Sequence, residues 1–140
     1  MNLHSQQKEA INWIENFLRS DDVEATLTGY AGTGKTFLLK ALLKNLKIPT
    51  CITAPVHKAV RVIEEVVSKK GKTFHSLHGL RPNLDLASFD LDNLAFDTIA
   101  EPDLKYYKLI ICDECSQISD NLYRLKRDRE KQFGYKILYI

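Results

Sequence analysis

The 140 residues predict an α/β fold: one parallel sheet with helices on both faces and a β-hairpin inserted into it. Three observations carry that expectation. Short apolar runs alternate with helix-spaced segments in the order strand, helix, strand, helix, strand, helix, strand, the pattern of a parallel sheet. The runs at 107–112 and 135–140 are apolar without alternation, as strands buried on both faces are. One stretch, 81–104, breaks the rhythm with its own prolines and acids.

The elements follow in order. Ser5 is the expected N-cap of a first helix over 6–19, because Ala10, Ile11, Ile14, Phe17 and Leu18 recur at helical spacing before Ser20, Asp21 and Asp22 end it. Residues 24–30 read as a strand running into a Gly-rich turn. Residues 35–46 then make a helix with apolar positions at 38, 39, 42, 43 and 46. A short strand over 49–54 closes at Pro55. The helix over 56–70 buries Ala59, Val60, Ile63, Val66 and Val67 and stops at Gly71. Pro82 and Pro102 bracket two alternating stretches, 84–89 and 94–99, around the turn-prone residues 90–93, which predicts the inserted hairpin. The strand at 107–112, a charged helix near 121–132 and, after Gly134, the strand at 135–140 complete the pattern. All 140 residues suit one domain. Because the sequence stops inside a strand, it reads as a fragment of a longer protein.

Composition narrows the class. Hydrophobic residues at 44% suffice for a core, and no apolar run approaches the roughly 20 residues of a membrane span, so a cytoplasmic protein without membrane association is expected. The net charge of +2 conceals a division: 1–80 carry +4, 81–104 carry one Arg against six acids, and 105–140 carry +3. Basic regions of this kind can meet phosphates, but on charge alone ordinary solvated surface is the preferred reading. Three cysteines make no disulfide framework. Cys112 and Cys115 have the CxxC spacing of a zinc site, which His75 and His78 could complete, but Asp113 and Glu114 between them have a better use.

That use begins at Gly29, Tyr30, Ala31, Gly32, Thr33, Gly34, Lys35 and Thr36, which match GxxxxGK[ST] between a predicted strand and a predicted helix. Glycines allow successive backbone N–H groups to point into one concavity that takes phosphate oxygens, and the helix beginning at Lys35 adds its positive end. Lys35 is placed to reach the β- and γ-phosphates of ATP, and Thr36 to offer its hydroxyl to Mg²⁺. Asp113, delivered by a buried strand to the same edge, is the second Mg²⁺ partner, usually through water. Glu114 is the candidate to orient and polarise an attacking water. The chain therefore reads as an ATP- and Mg²⁺-binding P-loop domain with Lys35, Asp113 and Glu114 as its catalytic residues.

Five segments in order, Leu3 with Gln7–Ala10, then 29–36, then Thr53–Ala59 (Thr-Ala-Pro-Val-His-Lys-Ala), then Thr73–Leu77 (Thr-Phe-His-Ser-Leu), then 111–116 (Ile-Cys-Asp-Glu-Cys-Ser), resemble superfamily 1 DNA helicases of the RecD/Dda branch. The resemblance spans the chain and implies a RecA-like N-terminal motor domain that moves on single-stranded DNA, with 5′→3′ polarity. It implies that Gln7 reads the adenine edge, and that Pro55, His57 and Lys58, with Thr73, His75 and Ser76, contact single-stranded DNA. It places a strand-separating pin at 81–104, where Phe89, Leu91 or Leu94 could lean on a base pair although the acids would repel phosphates. It also implies that 135–140 lies between the strands ending at Tyr30 and Cys112. A Gly-Asp-x-x-Gln segment and a second motor domain with its arginine finger, missing from this chain, would follow Ile140, so the chain alone should turn ATP over slowly. Two other readings stand beside it: a non-catalytic nucleotide-dependent DNA-binding module, and a helicase-loader or switch-type P-loop ATPase, which also has a P-loop and an Asp-Glu strand end but against which Thr73–Ser76 and the inserted hairpin argue.

Overall fold

The computed structural model describes residues 3–30, 32–82 and 96–140. Five strands form one parallel sheet: β1 (Glu24–Thr26), β2 (Thr50–Ala54), β3 (Lys72–Thr73), β6 (Leu109–Cys112) and β7 (Lys136–Tyr139), in the spatial order β1-β7-β6-β2-β3. The last strand thus lies between the first and β6, as the resemblance implied. The helices are α1 (Ser5–Arg19), α2 (Lys35–Asn45), α3 (His57–Val67), the short α4 (Phe74–Leu77) and α5 (Asp120–Phe133). No helix among the described residues is long and apolar enough to cross a membrane.

The apolar runs bury both faces, as their lack of alternation predicts. Leu109 and Ile111 of β6 and Leu138 of β7 pack with Ile14, Phe17, Leu39, Leu42 and Ile63 from α1, α2 and α3. Ile110 and Cys112 of β6 and Ile137 and Tyr139 of β7 point the other way, toward Phe74, Leu77, Leu104 and Leu122. Burying these side chains at about 25 cal/mol per Å² is the main force holding the two layers to the sheet.

Several boundaries differ from the sequence expectation. The N-cap of α1 is His4 rather than Ser5, because Gln7 at the third helical position reaches back to accept the His4 backbone N–H at 3.1 Å. β1 ends at Thr26 instead of 30, since its register with β7 ends opposite Tyr139 and the chain then leaves the sheet for the Gly-rich loop. α3 stops at Val67, where Ser68 turns left-handed and donates to Glu64 O at 2.8 Å. In the inserted segment, β4 (Leu80–Pro82) pairs antiparallel with β5 (Phe96–Thr98), and residues Asp103–Tyr106 form a 3-10 turn that buries Leu104 and pairs Asp103 with Lys72. The expected strand at 84–89 and the tip carrying Phe89, Leu91 and Leu94 lie outside the described residues.

Helix α5, read in the sequence as simply charged, conceals a buried polar stripe. Leu122, Lys126 and Glu130 recur every four residues on its inner face, and Lys126 is 0% exposed. Its ammonium donates to Glu24 of β1 at 2.6 Å and to Glu130 at 3.0 Å, and it sits 5.3 Å from the centre of the Tyr139 ring. Tyr123 donates to the other oxygen of Glu24 at 2.8 Å.

His78 closes α4. It is fully buried and stacks on Phe74 at 4.2 Å, and its Nδ1 lies 2.8 Å from Phe74 O. Burial, with Arg129 and Lys126 nearby, pushes its pKa down from 6.5 to about 4. The unfolded chain therefore binds a proton that the folded chain refuses between those values, and stability falls as pH drops from about 6.5 toward 4. The loss should reach on the order of 3 kcal/mol at about pH 4. Urea melts between pH 7 and 4.5 should show this slope, and His78→Phe should flatten it.

Candidate nucleotide site and adjoining groove

The loop between β1 and α2 is built around its own lysine. Lys35 Nζ donates to Gly29 O at 2.6 Å and to Tyr30 O at 3.3 Å, while the Thr33 hydroxyl donates to Tyr30 O at 2.8 Å. Gly34, at φ 82°, is the N-cap of α2, and Gly29, Tyr30, Thr33, Gly34 and Lys35 line a cavity of about 270 Å³ together with Gln7. The left-handed backbone favours glycine at Gly34, and a Cβ there would stand 2.8 Å from Gln7 Nε2, the movable end of the side chain that α1 brings against the loop. Gly32 has φ 79°, Thr36 is half-buried in the first turn of α2, Tyr30 is 89% exposed, and Ala31 lies outside the described residues. The resemblance alone suggested Gln7; the fold places it beside the phosphate-type loop.

β6 carries Asp113 to the same edge of the sheet. Its backbone N–H donates to Thr53 O at 2.9 Å, holding the chain beside β2 for one more residue, before Glu114 turns left-handed at φ 54° and stands exposed. Partial burial raises the Asp113 carboxyl above its usual range, opposed by a backbone hydrogen bond at Glu114 and by the positive charge of Lys35. Lys35 and Glu114 thus both stand near enough to Asp113 for their charges to act on it. The CxxC cysteines do not form a zinc set: Cys112 is fully buried with its thiol pushed well up, and no cluster of three or more His, Cys, Asp or Glu residues among the described residues could hold a metal.

Beyond β2 and β3 lies a second cavity of about 470 Å³, and it gathers Pro55, His57, Thr73, His75 and Ser76. Lys58 is exposed on α3 but is not among its lining residues. The His75 ring hydrogen-bonds to the backbone of Pro55, joining the two sequence segments, and burial holds its pKa below the usual value, with His57 adding to the effect. Thr73 accepts the Ser76 N–H at 3.2 Å and so fixes the start of α4. The opposite wall, Gly79, Leu80, Arg81, Ile99 and Ala100, was not foreseen from the sequence, because it exists only when β4 and β5 pair.

Gly79 sets that wall. It has φ 65°, its carbonyl accepts the Ile99 N–H at 2.8 Å, and a Cβ there would meet Ala100 O at 2.3 Å. Gly79→Ala should cost at least about 1–2 kcal/mol from the left-handed backbone alone, with the clash added. A lowered urea midpoint together with weakened occupancy of the groove is the expected result; an unchanged midpoint would show that the wall relaxes freely.

Comparison with known proteins agrees with this geometry. The AAA domain family model matches residues 7–135. The chain is 28% identical over 123 residues to the ATP-dependent DNA helicase dda of Enterobacteria phage T4, covering 85% of this chain and 27% of that protein. Among solved structures, Bacteroides sp Pif1 in complex with ADP-AlF4 superposes with a TM-score of 0.69 at 21% identity, covering 99% of this chain and 32% of that one. Bacteroides Pif1 bound to ssDNA gives 0.66 at 21% identity, covering 100% and 32%. The chain thus spans about a quarter of the phage protein's length and about a third of the Pif1 chains. At such identity the Pif1 likeness establishes the fold, and the α/β expectation of a parallel sheet flanked by helices is borne out. The similarity to the helicase branch read from the motifs is borne out by the phage protein. A match that begins at Gln7 and ends at Tyr135 takes in the loop, the Asp113 strand and the groove alike, and the chain belongs to the AAA domain family.

Proposed function

We propose that the chain, as one RecA-like domain over 1–140 with the hairpin 81–104 inserted, is the ATP-binding first motor domain of an ATP-dependent DNA helicase that moves 5′→3′ on single-stranded DNA. One observation carries this reading. The loop after β1, the Asp113–Glu114 pair after β6 and the groove after β2 and β3 all open at the carboxyl ends of one parallel sheet, where α/β ligands bind.

In this reading Lys35 exchanges the carbonyls of Gly29 and Tyr30 for β- and γ-phosphate oxygens, and the amides of 29–36 cradle the phosphates. The Gln7 amide, which can donate and accept at once, addresses the adenine edge. The oxygen donors Thr36 and Asp113 fit Mg²⁺, whose contribution is to neutralise phosphate charge. The place of Asp113, half-buried at the carboxyl end of β6 and within reach of the Lys35 charge, supports this assignment. Glu114 orients the attacking water. Pro55, His57, Lys58, Thr73, His75 and Ser76 contact the single strand, and the tip of the inserted hairpin is the wedge at a fork. That relative names an ATP-dependent DNA helicase supports the reading.

Steady-state ATP hydrolysis with and without single-stranded DNA tests it. Stimulation by the single strand that disappears in Glu114→Gln is expected. Hydrolysis indifferent to DNA would instead identify a loader or switch-type ATPase, and DNA binding gated by ATP without turnover would identify a non-catalytic module.

A further inference from the structure

The inserted segment carries six acids and a single basic residue, Arg81, and that residue lines the groove. Along β4, Leu80 is buried and Arg81 is exposed, so the alternation of the strand turns Arg81 away from the packed face. Among the groove's described lining residues Arg81 is the sole Lys or Arg, and none of the others is a carboxylate. The facing wall, with Pro55, His57, His75 and Ser76, supplies ring nitrogens and a hydroxyl but no permanent charge. Ile99, 63% exposed, stands beside Arg81 on the same wall and offers apolar surface.

We propose that Arg81 is the phosphate anchor of this groove, neutralising one backbone phosphate of a single DNA strand, with Ile99 packing against the adjoining sugar or base. The inference rests on the nucleic-acid reading above and deepens it by one residue that neither the motifs nor the resemblance indicated. The site is preorganised. β4 is tied to β5 through the ladder, the Gly79–Ile99 hydrogen bond fixes the turn leading into it, and Leu80 is anchored in the core beside Phe74 and Leu77. A guanidinium on such a strand loses less freedom on binding than one on a free loop. Its planar fork matches a phosphate, a geometry that Lys58, outside the lining, does not supply there.

The experiment is the salt dependence of binding to a fluorescent oligo-dT, read by anisotropy over about 50–200 mM NaCl. Arg81→Gln is expected to lower affinity roughly tenfold and to reduce the slope of log K against log[salt] by about 0.7, the value for one single-strand phosphate. Arg81→Lys should keep most of the slope while losing part of the affinity. Arg19→Gln, an exposed change at the far end of α1, should alter neither. If Arg81→Gln leaves the slope unchanged while His57→Ala weakens binding, the anchor is refuted and the nucleic-acid reading stands. If the parent chain does not bind oligo-dT at low salt, the reading itself fails and the anchor with it. Equal loss in Arg81→Gln and Arg81→Lys, accompanied by a lowered thermal midpoint, would assign Arg81 a structural role and overturn the proposal.

Discussion

Lys35→Ala is expected to weaken Mg-ATP binding by roughly 10- to 150-fold while leaving the chain folded. The ammonium already makes two hydrogen bonds to the loop carbonyls of Gly29 and Tyr30, which on the proposed reading it exchanges for phosphate oxygens. A hydrogen bond to a charged group contributes about 1.5–3 kcal/mol, and 1.4 kcal/mol is tenfold in affinity. Both carbonyls lie on exposed residues, so water can replace the lysine there, and the change in stability should stay within about 0.5 kcal/mol. Titration calorimetry of parent and variant, with a thermal melt of each, gives both numbers. Equal affinity in the two would remove the loop from phosphate binding, whatever its sequence resembles.

The second large effect has nothing to do with ligand. Lys126→Ala should cost about 3–5 kcal/mol, a serious part of the roughly 5–15 kcal/mol that holds a domain together. The ammonium is wholly buried between Glu24 and Glu130, and Glu130 has only 7% of its side chain exposed. Deleting the cation leaves that carboxylate without compensation, and one of its oxygens already lacks a hydrogen-bond partner. The double variant Lys126→Met with Glu130→Leu should recover most of the loss, because apolar groups of similar volume replace a costly buried pair. Glu24 tolerates this: its side chain is 30% exposed and keeps the Tyr123 hydroxyl. Urea denaturation measures all three proteins. A cost below about 1 kcal/mol for Lys126→Ala would mean that water reaches the cluster and that the pair acts as a surface bridge.

Much of the molecule is legible in the sequence because its signals are local. The glycines and Lys35 announce a phosphate-type loop between a strand and a helix, and Gly34 does carry a left-handed backbone at the start of α2. The apolar run at 107–112 declares burial on both faces without reference to any other segment, and β6 is fully buried. The resemblance adds non-local information, since it groups Pro55 and His57 with His75 and places the last strand between β1 and β6, and the fold brings these together. The roles of these residues toward nucleotide and DNA are proposals, as is the division into one domain with its hairpin.

What only the tertiary structure decided are the features whose partners lie far along the chain. Lys126 follows the spacing of any solvated helix, and nothing near it announces burial; its carboxylate partner Glu24 is 102 residues away and reaches it only because β7 inserts beside β1. Gly79 and Arg81 carry no signal of their roles until β4 pairs with β5 and brings the Ala100 carbonyl against Gly79. Periodicity and motif spacing report what a segment prefers by itself. Which charge is buried, and which arginine faces a groove, depends on the neighbours that the folded sheet supplies.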